Sequence, residues 1–99
     1  MTVEEGELLR KIEEALRGVE RRGGDRIPSI ASIKRQLLWC QGYLSGGAPP
    51  YEMPGPLSMG LIATREFDMY GHDPELALLV NEIEREMNKR LPGGAGGGS

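Results

Sequence analysis

Glycine pairs and prolines cut this chain into four stretches, and each stretch carries apolar residues at three- and four-residue intervals. That interval places them on one face of an α-helix. Helices with one apolar face must bury it against each other. The punctuation therefore predicts an all-α protein, a compact bundle of about four helices. At 99 residues the chain is long enough for one small domain. Residues 1–92 read as that domain. Residues 93–99 (GGAGGGS) have the composition of a flexible linker and are set apart from the fold.

The first helix is expected over Thr2–Arg22. Thr2 and Glu5 have capping-box spacing, and Leu8, Leu9, Ile12, Leu16 and Val19 form its apolar stripe. Glu4, Glu5 and Glu7 suit the positive end of the helix dipole; Arg17, Arg21 and Arg22 suit the other. Gly23-Gly24 stops it. The second helix is expected over Pro28–Ser45, with proline in the first turn and Ser29 or Ser32 available for free amides. Ile30, Ile33, Leu37, Cys40 or Gln41, and Leu44 share a face, which Leu38 and Trp39 widen. Trp39 and Tyr43, four apart, read as a packing pair.

Residues 46–56 (GGAPPYEMPGP) hold four prolines and three glycines, so they form a loop. The third helix is expected over Leu57–Tyr70, with Leu61, Ile62 and Phe67 as apolar positions and Met59 and Ala63 filling in. Gly60 weakens it by roughly 1 kcal/mol relative to alanine, or else lets two helices approach closely. Asp73-Pro74-Glu75 is a helix start: a capping acid, proline at the first helical position, then an acid in the first turn. Leu76, Leu79, Val80, Ile83 and Met87 make the fourth stripe, which runs to about Leu91. Glu82, Glu84, Arg85, Glu86, Lys89 and Arg90 read mostly as its solvated face.

Chemistry is sparse by comparison. The single histidine, His72, sits in a turn beside Asp68 and Asp73 without the spacing of a zinc site. Cys40 lies on an apolar face, where a thiol behaves as a small hydrophobe. The acidic pairs sit among opposite charges and read as solvation and intrahelical pairing. No phosphate-loop or dinucleotide pattern occurs. No cofactor, metal or catalytic residue is expected, and the protein reads as a binder and not an enzyme. A net charge of -3 gives no support to nucleic-acid binding. One cysteine, an acidic N-terminus without an apolar core and the lack of a long apolar run predict a cytoplasmic chain with no membrane partner.

The richest stretch is Arg65–Leu76, which packs acids, Phe67, Met69, Tyr70 and His72 into one helix-turn-helix corner. Aromatic residues and methionine favour interface centres, and flanking acids pair with a cationic partner. Phe67 and Asp73 read as core and cap. Glu66, Asp68, Met69 and Tyr70 are candidate contact residues, with Tyr51 and Glu52 of the proline-rich loop beside them.

Leu57-Ser58-Met59-Gly60-Leu61-Ile62-Ala63-Thr64-Arg65-Glu66-Phe67-Asp68, followed by Asp73-Pro74-Glu75-Leu76, resembles one group of small bacterial immunity proteins. These neutralise a type VI secretion effector that is an NAD(P)+ glycohydrolase. In that family a Leu-x-x-Gly-x-Ile-Ala segment runs into a basic residue, Glu-Phe-Asp, a short turn, then Asp-Pro-Glu-Leu. Ser32–Leu44 is also similar, with Lys34, Gln36-Leu37 and Tyr43, so the resemblance covers roughly residues 28–90. The loop 46–56 is proline-rich here and the turn Met69–His72 is longer. The resemblance implies a helical, non-enzymatic protein that binds a cognate toxin domain and obstructs its active site. An NAD-consuming toxin, a glycohydrolase or an ADP-ribosyltransferase, is the expected partner. The alternative is a helical adaptor or chaperone that delivers a secreted effector without inhibiting it.

Overall fold

A computed structural model describes residues 3–46, 57–69 and 73–90. Among these the chain is helical: α1 (Val3–Arg21), α2 (Pro28–Leu44), α3 (Met59–Ala63) continuing into a π-helical segment Thr64–Met69, and α4 (Pro74–Arg90). The expected all-α architecture holds. The proposed Thr2 cap, the loop residues 47–56, the turn 70–72 and the tail 91–99 lie outside the described residues.

α1 ends because Gly23 and Gly24 adopt φ of 128° and 53°, a region that L side chains rarely enter. A short 3-10 turn, Gly24–Arg26, then leads into α2. No expectation covered that turn. α1 and α4 run antiparallel, as four contacts along their length establish. Glu4 faces Arg90, Lys11 pairs with Glu82, Gly18 meets Leu76, and Arg22 pairs with Asp73. At Gly18 a Cβ would fall 2.8 Å from Leu76 Cδ1, so this glycine is what lets the start of α4 settle on α1.

The stripes meet in one core. Ile12, Val19, Ile33, Leu37, Cys40, Met59, Val80, Ile83 and Met87 are fully buried, with Phe67 nearly so. Each large aliphatic side chain so buried contributes about 1.5–3 kcal/mol. Trp39 is buried and stacks on the more exposed Tyr43, ring centroids 5.2 Å apart, as a packing pair should.

Three expectations need correction. Neither Ser29 nor Ser32 caps α2; its N-cap is Ile27, whose side chain cannot, and Ser32 Oγ instead accepts from Gln36 Nε2. Leu61 is not a core position: it is 71% exposed. The third helix is not α-helical throughout. Three donors converge on the Gly60 carbonyl: the Thr64 backbone N–H, the Thr64 hydroxyl at 2.9 Å and the Asn81 amide at 3.2 Å. This competition sits where the helix widens. Met59, Ala63 and Phe67, four apart, share the buried side.

Candidate partner-binding surface

α3 owes its position to side chains on other helices. Ser58 is its N-cap but makes no side-chain cap. Gln36 of α2 does the capping: its Oε1 accepts from the Ser58 and Met59 backbone N–H groups, both at 2.9 Å, and its Nε2 donates to Ser58 Oγ at 3.3 Å. The next free amide, Gly60 N–H, donates to Glu84 Oε1 of α4 at 3.2 Å. The first turn of any helix leaves such amides unpaired. Here they are satisfied across the bundle. Glu84 was expected on the solvated face. It is instead half-buried, and burial raises its carboxyl above the ordinary value, against the opposing pull of the Gly60 N–H.

Asn81 completes the clasp. Its amide nitrogen donates to Gly60 O, to Thr64 Oγ1 at 2.9 Å and to Ala77 O at 2.8 Å. Gly60 faces Asn81 and Glu84 so closely that a Cβ would lie 2.5 Å from Asn81 Oδ1. The close-approach reading of this glycine is correct. These contacts set α3 antiparallel to α4 and fix which side of α3 faces outward.

On that outward side stand Leu61, Arg65 and Asp68, all exposed, with Glu66 half-buried. Leu78, one turn before Asn81 on α4, is 70% exposed. Leu61 on α3 and Leu78 on α4 are thus the exposed large apolar side chains of these two helices. Exposed leucines on helices that also expose Arg65, Asp68 and Arg85 give α3 and α4 the mixed apolar and charged composition of a contact surface. Sequence reasoning missed both leucines. Leu61 was assigned to the core by periodicity, although Leu78 could have been flagged because it lies off the α4 stripe.

The corner itself is anchored. Asp73 Oδ1 accepts from the Leu76 N–H at 3.2 Å, the expected N-cap, and Asp73 Oδ2 pairs with Arg22 at 3.0 Å. The Asp73 N–H donates to Phe67 O at 2.9 Å, joining the end of the π segment to the start of α4. Of the candidate contact residues, Glu66 and Asp68 lie on this segment and Met69 closes it. Tyr70, Tyr51 and Glu52 lie outside the described residues, as does His72.

Cys40 is fully buried, and burial, with the nearby Glu84 charge, pushes its thiol up to about 12. Among the described residues no three metal-ligating side chains gather, and no helix is long and apolar enough to cross a membrane. No protein family, curated protein or solved structure matches this chain.

Proposed function

We propose that this chain is an immunity protein: it binds a cognate secreted antibacterial toxin, an NAD-consuming enzyme of glycohydrolase or ADP-ribosyltransferase type, and covers that enzyme's active site. The observation that carries the reading is a coincidence of place. The run that resembles the immunity family, Leu57–Leu76, is the same run that builds the outward face of α3 and the anchored corner beside it. Exposed Leu61 on α3 and Leu78 on α4 offer apolar contacts, and Arg65, Glu66 and Asp68 offer charged ones. Inhibition by such a surface needs no chemistry of its own. It needs tight binding over the substrate cleft, and nanomolar affinity corresponds to about -12 kcal/mol. The charged rim speeds encounter and fixes orientation.

Co-expression with the toxin encoded beside it tests the proposal. Wild type should protect cells and co-elute with the toxin domain on gel filtration. A Leu61→Asp, Leu78→Asp double variant should fold normally, since both side chains are exposed, yet lose protection. An unprotected host or the lack of any complex overturns the reading. A toxin that stays active while bound would replace inhibition with the adaptor role.

A further inference from the structure

The end of the bundle where α1 turns into α2 carries a feature that the α3–α4 face does not use. A shallow depression of about 530 Å³ is lined by Arg21, Arg22, Gly23, Arg26 and Ile27. Three guanidinium groups thus border one hollow in a chain of net charge -3. The helix dipole accounts for Arg21 in the last turn of α1 and for Arg22 just past its end. It does not account for Arg26, which lies beyond the helix end.

The acids nearest in sequence are engaged elsewhere. Lys34 of α2 draws both Glu20 and Asp25 to itself, the latter at 3.0 Å. Asp73 takes one edge of Arg22. Arg26 spends its Nε on the Gly23 carbonyl at 3.3 Å, and Arg21 makes no ion pair with any described residue. Guanidinium groups left this way offer forked donors that match a carboxylate two bonds at a time. Ile27, 40% exposed, supplies an apolar contact at the rim of the same hollow. Its side chain packs against Gly23, whose φ of 128° keeps that position free of a Cβ.

We infer that the hollow formed by Arg21, Arg22, Arg26 and Ile27 is a docking site for an acidic segment of a protein partner, one that places carboxylates on the arginines and an apolar side chain against Ile27. A nucleic acid fits less well. Exposed Glu13, Glu14 and Glu20 on α1 interrupt any basic track, and the chain as a whole is acidic, with a pI near 5.2. The inference does not depend on the partner being a toxin. Through the Arg22–Asp73 pair the hollow adjoins the start of α4, so one partner can engage both surfaces.

The test uses the full chain and a short fluorescent peptide rich in aspartate and leucine, followed by anisotropy. Wild type should bind it, with affinity falling as salt rises. Arg21→Gln with Arg26→Gln, both exposed side chains, should weaken binding at least tenfold while the circular dichroism spectrum stays unchanged. Ile27→Ser alone should weaken it severalfold, and a peptide with asparagine for aspartate should not bind. The proposal is overturned if wild type does not bind, if the double variant binds equally well, or if a labelled oligo-dT binds more tightly than the peptide at the same salt.

Discussion

Replacing Gly60 by alanine puts two local effects in opposition, and the structure decides between them. Alanine is the better helix former by about 1 kcal/mol, so propensity alone predicts stabilisation. The new methyl, however, would lie 2.5 Å from Asn81 Oδ1 and 2.8 Å from Glu84 Oε2. Both neighbours are side-chain ends and can move, but moving breaks what they hold. Glu84 gives up the Gly60 N–H, a carboxylate bond worth about 1.5 kcal/mol at the low end of its class. Asn81 cannot shift without disturbing its bonds to Gly60 O and Thr64 Oγ1, each worth about 1 kcal/mol. With one or both of these lost, the balance is a destabilisation of about 2 kcal/mol. For a domain of this size that lowers Tm by roughly 8–16 °C. Thermal melts by far-UV circular dichroism, with urea titrations alongside, measure it. In an Asn81→Ala background the nearer obstacle is gone and Glu84 alone must yield, so the same substitution should cost less than about 1 kcal/mol. A Gly60→Ala protein that melts at or above the wild-type temperature, or an equal loss in both backgrounds, would refute the account of the clasp.

Glu84→Gln keeps an acceptor for the Gly60 N–H and removes the half-buried charge. Because burial raises the Glu84 carboxyl in the folded chain, the native state holds this proton more tightly than the unfolded state. Wild type should therefore lose stability relative to Glu84→Gln as pH rises from the ordinary carboxylate range through the raised value; urea midpoints that run parallel across this window would contradict it. Asp73→Ala removes the α4 cap and the partner of Arg22 and should cost about 1 kcal/mol by urea titration, nearly all from the cap, because the ion pair is partly exposed. Asp73→Asn should retain most of the stability. Cys40 should resist thiol reagents at mildly alkaline pH in the native protein and react at once in denaturant, and prompt labelling of the folded chain would show that its burial is misjudged.

What could be read in advance was local. The α1, α2 and α4 stripes, the Gly23-Gly24 stop and the Asp73-Pro74-Glu75 start depend on residues within a turn or two of each other, and all appear as expected. What escaped was set across the bundle. Gln36 looks like an ordinary polar residue on α2, and only the arrival of Ser58 and Met59 makes it a cap. Glu84 looks like one acid among several until Gly60 reaches it. Leu61 was misassigned because its apolar character suggested burial, whereas its place two residues from both Met59 and Ala63 turns it to the opposite face of α3. The corner was legible as a concentration of interface-type residues, but the exposure of Leu61 and Leu78 depends on which faces of α3 and α4 the bundle buries.

Borrowed caps also make the outward face a report on the state of the whole molecule. The first turn of α3 cannot close by itself: its amides wait for Gln36 on one side and Glu84 on the other. A five-residue α-helical segment has little propensity to persist alone. Native-state amide exchange should therefore place α3 among the first segments to open. A chain whose α2 or α4 is not yet in place cannot display Leu61 in its docked orientation. A half-folded copy therefore lacks this face of the bundle.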